Sequence, residues 1–216
     1  ARDPRMHEEP FVSAPYIHQN NVPKYHALLL RAEEHAKKRK LYRLWFAAQD
    51  KPCNPSEICK KPEQLKAKLE RFLQFHDQRT AGIPGLCILY VGLLMRVTEK
   101  LVKNSKLTIL KHTPCTVVGW ALHTGDRMRV DDGERFLEYL PTVIYVQFAG
   151  ADWEVDPALG KGVYPLFPVQ RTWLLNTAGV KVVRKGYTLL PDYASTAFMM
   201  QATSLDALIA DCRHFL

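Results

Sequence analysis

The 216-residue sequence has few cysteines, and none in a ligand pattern: those at 53, 59, 87, 115 and 212 form no CxxC pair, and no histidine stands at zinc-finger spacing from them. They read as reduced, structural thiols. The eight histidines show no metal-ligand rhythm and read mostly as surface or internally satisfied side chains. A phosphate-cradling P-loop is missing too. Gly160-Lys161 comes nearest, but Gly162 stands where a Ser or Thr must be and Val155 where the first Gly must be. There is no GxSxG, no HExxH and no carboxylate pair that spacing alone recommends, so the residues themselves assemble no complete active site. Long apolar runs are also lacking. Leu86 to Met95 is interrupted by Gly92 and closed by Arg96, well short of the roughly 20 residues that span a bilayer. No repeat or low-complexity tract is visible, and no charged-then-apolar leader follows Ala-Arg-Asp-Pro-Arg at the start. An intracellular fragment of a longer protein is the expectation.

What is present is ordinary for a globular chain, 47% hydrophobic and 24% charged, but with a formal net charge of +8. That balance favours a polyanionic partner, since clustered Lys and Arg release counterions condensed on phosphates. Residues 1 to 10 are polar and read as a loose terminus. Phe11 to Ile17 suggests a short strand running into a loop. Asn20 and Asn21 then offer caps, Pro23 suits a first helical turn, and Tyr25, Leu28, Leu29, Ala32 and Ala36 make one apolar stripe. Leu41 to Ala48 reads as a strand, Lys51 to Pro62 as a loop, and Glu63 to His76 as a second helix with Leu65, Leu69, Phe72 and Leu73 on one face.

From Gly82 the texture becomes β-rich. Strands are expected at Leu86 to Val91, Leu94 to Thr98, Thr116 to Leu122, Val143 to Phe148, Val163 to Leu166 and Val180 to Val183, and a closing helix at Asp206 to Arg213. Trp120, Trp153 and Trp173 in such a region are expected to be core rather than base-stacking platforms. The basic runs Lys37 to Lys40 and Lys60 to Arg71 read as solvated helix faces.

The most specific segment is Val182 to Gln201, Val-Val-Arg-Lys-Gly-Tyr-Thr-Leu-Leu-Pro-Asp-Tyr-Ala-Ser-Thr-Ala-Phe-Met-Met-Gln. It resembles the stretch of Pif/RecD-like superfamily 1 class B DNA helicases in which a basic strand and a "PL" turn precede YAxTxHxxQGxT. Thr196, Gln201 and Ser204 match the motif's threonine, glutamine and final hydroxyl residue, whereas Phe198 replaces its histidine and Ala202 its glycine. Upstream, Ile83-Pro84-Gly85-Leu86 and Tyr90 to Thr98 are similar to the family's LxLxVGxxVMLTxN strands. Thr113 to Trp120 is similar to the strand after its NGTxGxV turn, with Lys111, His112 and Cys115 in place of the Asn and two Gly. Leu140-Pro141, Val143 to Phe148 and Val163-Tyr164-Pro165 resemble its inserted barrel. Val12 to Pro15, the loop with His18, Asn20 and Asn21, and Ala48-Gln49-Asp50 resemble the opening of its second lobe.

The resemblance implies an α/β, RecA-like (P-loop NTPase-type) second helicase lobe with an inserted small β-barrel. The lobe would occupy 11–98, the barrel 99–165, and the return to the lobe 166–216. It implies one part of an ATP-dependent DNA helicase acting on single-stranded DNA, with RNA possible as a partner, and nuclear or mitochondrial if eukaryotic. ATP and Mg2+ would be held mainly by a first lobe in cis, ahead of residue 1, and an arginine motif would follow Leu216. Gln201 and Ser204 would couple nucleotide to strand. His18, Asn20, Asn21, Arg184, Lys185 and Thr196 would hold nucleic acid, and no membrane is involved. Phe198, Ala202 and the missing P-loop keep a second reading open, a non-catalytic helicase-derived binding or scaffold module. A third, a basic barrel unrelated to helicases, would lack a parallel-sheet lobe around the insert.

Overall fold

A computed structural model describes residues 4, 8–11, 14–104, 107–126, 133–176, 179–196, 204 and 206–210. The elements in chain order begin with β1 (Tyr16–His18), α1 (Asn21–Lys38), β2 (Arg43–Ala47), β3 (Gln49–Pro52), α2 (Pro55–Ile58) and α3 (Leu65–Phe72). Next come β4 (Leu86–Leu89), β5 (Leu94–Val97), β6 (Leu101–Asn104), β7 (Leu107–Ile109), β8 (Pro114–Ala121) and β9 (Glu134–Phe136). The last are β10 (Val143–Gln147), β11 (Val163–Leu166), β12 (Val169–Leu174), β13 (Lys181–Gly186), β14 (Leu189–Pro191), β15 (Ala194–Thr196) and β16 (Ile209–Ala210).

The apolar spacing of α1 decides where it lies. Tyr25, Leu28, Leu29, Ala32 and Ala36 are all buried, and the two alanines let the helix settle closely on β1, β4, β14 and β15. Tyr25 fastens it: its hydroxyl accepts the Leu86 N–H at 2.8 Å and donates to a nearby carbonyl oxygen, with that of Leu86 3.1 Å away. Beneath α1, β1 is the middle strand of a parallel three-stranded sheet, β15-β1-β16. An antiparallel sheet follows in the order β11-β10-β8-β5-β14, and its buried Met95, Val97, Val117, Ile144 and Val146 join the α1 stripe in one core. Two further three-stranded sheets, β12-β13-β3 and β4-β2-β9, and the β6-β7 hairpin complete the strands. A second apolar cluster of Ile58, Cys59, Phe72, Trp173, Val180 and Val182 seals β12 and β13 against the α2 and α3 region. There the Trp173 ring meets Phe72 edge-on, with centroids 5.3 Å apart.

The fold is mixed α/β and mostly sheet, and several expectations need correction. In place of a closed barrel, the described residues form an open sheet with β11 and β14 at its edges. That sheet draws β5 and β14 from outside residues 99–165, β8 and β10 from within, and β11 from across the boundary at 165. The helix expected at Asp206 to Arg213 is, over its described part, extended chain: Tyr16 pairs with Ile209 and Ile17 with Ala210. The loop expected at Lys51 to Pro62 contains the end of β3 and the short helix α2. Among the described residues no helix is long and apolar enough to cross a membrane.

Candidate nucleic-acid interface

Two of the three strands in the parallel sheet present their carboxyl ends together. In register, His18 at the end of β1 stands beside Thr196 at the end of β15. The crevice outside such carboxyl ends is where open parallel α/β sheets bind ligands. The chain then turns through exposed Gln19 and Asn20 directly into α1. Asn20 is extended, with φ −111° and ψ 150°, and its side chain does not cap the helix. The N–H groups of Asn21 and Val22, which have no partner within the helix, are therefore not taken up by an Asn20 side-chain cap, and they carry the positive end of the helix dipole; Pro23 has no N–H. Lys24 is already engaged, its N–H bonding the Asn20 carbonyl at 3.3 Å.

Paired charges lie under this turn. The Lys24 side chain is 2% exposed and its ammonium sits 3.9 Å from the equally buried Asp77 carboxylate. Burial presses the Lys24 pKa below 10.5, Asp77 opposes that, and Arg96 and Lys111 reinforce it. Arg96 in turn is ion-paired with Asp192, joining β5 to the turn before β15. Ser195, between Ala194 and Thr196, is 1% exposed, and its hydroxyl has no hydrogen-bond partner among the described residues.

Alongside lies an open cleft of about 1230 Å³ whose walls include the outward face of α1, with Arg31, His35, Lys38 and Arg39, and Tyr16, His18, Leu94 and Tyr193. The Arg31 guanidinium stands 5.9 Å over the Tyr16 ring, which itself stacks on His18 at 4.7 Å. His35 Nδ1 is 3.0 Å from the Tyr90 hydroxyl, which lies 3.1 Å from the Ala32 carbonyl oxygen and 3.2 Å from the Tyr193 hydroxyl. Burial, with Arg39 and Lys38 adding to it, holds the His35 pKa below 6.5.

The expected site residues therefore separate. His18, Asn20, Asn21 and Thr196 come together, with His18 buried, Thr196 half-buried and Asn20 exposed. Arg184 does not join them. It is 0% exposed in β13, its donors directed to Asp50 and to the carbonyls of Ile83 and Phe72, so it offers nothing to a phosphate. Lys185, its neighbour, points to the other face of the same separate sheet and is half-buried. Gln201 and Phe198 lie outside the described residues, and Ser204 is exposed in irregular backbone. Sequence reasoning missed Lys24, Asp77 and Ser195. Lys24 carries no signal in the sequence beyond its place one turn into the helix, next to Pro23.

Among the described residues no three His, Cys, Asp or Glu side chains converge to hold a metal ion.

No family model matches the sequence, and no curated protein matches it. Solved structures do. A Pif1 helicase from Candida albicans superposes with a TM-score of 0.54 at 12% identity over 97% of this chain, which spans 42% of that one. The Bacteroides Pif1 complex with ADP-AlF3 and ssDNA aligns at a TM-score of 0.48 and 11% identity, over 96% of this chain and 36% of that one. Bacteroides Pif1 bound to ssDNA aligns at 0.45 and 12%, over 93% and 35%. The fold is thus related to that of Pif1 helicases, and the chain spans less than half of the chains it resembles.

Proposed function

We propose that this chain is a helicase-type second lobe that grips single-stranded nucleic acid by its backbone at the carboxyl ends of β1 and β15. The observation that carries the reading is the His18–Thr196 register beside the uncapped start of α1. A hydroxyl, an imidazole and the helix-start N–H groups of Asn21 and Val22 are donors of the kind a phosphate needs, and phosphate contacts fix position without reading sequence. The likeness in fold to Pif1 helicases supports the assignment, and the motif match puts Gln201 and Ser204 on the path between strand and nucleotide. ATP and Mg2+ then belong to the cleft with a first lobe. The chain alone is expected neither to bind ATP tightly nor to hydrolyse it.

Titration of a labelled oligothymidylate by fluorescence anisotropy tests the grip. Thr196→Val, nearly isosteric but lacking the hydroxyl, is expected to weaken binding by about 0.5–1.5 kcal/mol, the worth of one neutral hydrogen bond. Unchanged affinity in a variant that melts like the parent sinks the site. Phe198, Ala202 and the absent P-loop favour, within the same fold, a lobe that binds without powering a motor. ATP turnover by the chain joined to its first lobe, lost on Gln201→Ala while strand binding persists, separates motor from scaffold.

A further inference from the structure

The sheet β12-β13-β3 is two-faced, and the register says which side chains share a face. Gln170 pairs with Lys185 and Lys185 with Gln49; Thr172 pairs with Val183 and Val183 with Lys51; Leu174 pairs with Lys181. Side chains alternate along a strand, so these residues stand on one side, while Trp173, Val182, Arg184 and Asp50 stand on the other. Burial agrees. Gln49, Lys51, Gln170, Thr172, Leu174 and Lys181 are exposed and Val183 and Lys185 half-buried, whereas Trp173, Val182 and Arg184 are sealed against the second core.

The two faces also divide the charge. The only acid in the three strands is Asp50, and it is spent on Arg184 on the inner side. Arg171 is paired with Glu99 at 2.5 Å. Lys51, Lys181 and Lys185 remain on the outer face, and among the described residues none of them enters an ion pair. Lys181 and Lys185 are four residues apart on β13, and Lys51 lies across from the residue midway between them. Successive lysines thus advance by about 6.6 Å along the strand and step sideways by about 4.8 Å, two strand rises and one inter-strand spacing. Lys51 is therefore the offset apex of a shallow triangle whose base, Lys181 to Lys185, runs along β13, and the three unneutralised ammonium groups are flanked by Gln49, Gln170 and Thr172, which offer neutral hydrogen bonds.

We infer that this outer face is a second nucleic-acid contact, a flat track for the sugar–phosphate backbone of a single strand, separate from the grip at His18 and Thr196. A polyanion fits a flat cluster of three lysines with no carboxylate among them, and the amides and hydroxyl suit sugar and phosphate oxygens. The choice of nucleic acid over an acidic protein rests on the helicase-lobe reading above.

The test is the salt dependence of binding of the 216-residue chain to a labelled oligothymidylate, beside the triple variant Lys51→Gln, Lys181→Gln, Lys185→Gln. Loss of three phosphate contacts flattens the slope of log K against log salt by about 2, and low-salt affinity drops about tenfold or more. Lys→Arg at the same three positions is expected to keep both, and circular dichroism to show both variants folded. An unchanged slope overturns the inference, as does a parent that binds no oligonucleotide. Equal binding of polyglutamate, with equal sensitivity to the triple change, overturns it too by assigning the face to an acidic protein. Thr196→Val separates the two sites, because removing a neutral hydroxyl weakens binding without altering the salt slope. A silent triple variant with a weakened Thr196→Val leaves the grip standing and this face refuted; the reverse leaves the face standing and the grip refuted.

Discussion

The Arg184 guanidinium meets the Asp50 carboxylate at two points, Nε to Oδ1 at 2.8 Å and Nη2 to Oδ2 at 2.6 Å, with the two side chains 0% and 3% exposed. The same guanidinium donates to the Phe72 carbonyl at 2.8 Å and the Ile83 carbonyl at 3.2 Å and stands 5.6 Å from the Trp173 ring. One side chain thereby joins β13, β3, α3 and the turn before β4. Its charge is matched only while Asp50 is there.

Asp50→Asn is accordingly expected to lower the unfolding free energy by about 3–5 kcal/mol, since it strands a buried guanidinium. Replacing both partners with apolar residues, Asp50→Leu with Arg184→Met, is expected to cost less than the single change. Urea denaturation of Asp50→Leu, Arg184→Met and their combination, beside Asp50→Asn, measures this, and a double change as damaging as the sum of the two singles counts against it.

Gly85 holds the turn before β4 against α3. A Cβ there would meet the Leu73 carbonyl oxygen at 2.2 Å and the Leu73 Cα at 2.5 Å, both backbone atoms that cannot swing aside. Gly85→Ala is expected to cost about 3 kcal/mol or more, by forcing the segments apart. Gly119→Ala supplies the contrast, because its Cβ would find only the Tyr145 ring, at 3.8 Å. It is expected to be neutral or slightly stabilising through reduced unfolded-chain entropy, as melting temperatures would register.

Three histidines are expected to contribute to the acid limb of stability. Burial is the first cause that lowers the pKa of His35, His76 and His112 below 6.5; Asp77 opposes it at His76 and His112, and Lys24, Lys111, Arg96 and Arg79 add to it there. The unfolded chain therefore takes up protons near pH 6.5 that the folded chain refuses, and stability falls as pH drops through 6.5 toward the lowered values. Denaturation midpoints between pH 7.5 and 5.5 are expected to decline, and His76→Gln with His112→Gln to flatten the decline. A midpoint that rises on acidification refutes the assignment.

The buried thiols are expected to be silent. Burial pushes Cys87 and Cys115 up to about 12 from 9.0, while Cys53 is exposed. At pH 8 the thiolate fraction of the first two drops about a thousandfold relative to an ordinary cysteine. A colorimetric thiol reagent should label Cys53 in the native chain, and Cys87 and Cys115 only after denaturant is added.

Local periodicity made α1 legible before any coordinates, because its five stripe residues are the ones the core takes up. It also located β4, β5, β8, β10 and β11 from their β-branched and apolar runs. It failed where a distant partner decides. Ile209 and Ala210 sit in helix-like spacing but are drawn into the sheet by Tyr16 and Ile17. β12 went unseen because Gln170, Arg171 and Thr172 dilute its apolar signal, and β9 because it is only three residues long. Arg184 and Lys185 looked like one basic pair, yet neighbours on a strand face opposite ways, and the carboxylate that captures Arg184 lies far off in the sequence. Of the candidate site, the motif match marked Thr196, and the family's opening loop marked His18, Asn20 and Asn21. Their meeting is a property of the sheet register.

β1 is flanked on both sides by strands from the far end of the chain, with Tyr16 matched to Ala194 and to Ile209. A ribosome adding about 5–20 residues per second leaves roughly ten to forty seconds between the emergence of Tyr16 and that of Ala194. Throughout that interval the future middle strand carries two open edges, while α1, next in line, is the first apolar surface able to cover it. Nascent chains halted short of Ala194 are therefore natural clients for a chaperone, and the hand-over from chaperone to β15 is the step at which the β1 sheet gains its first strand partner.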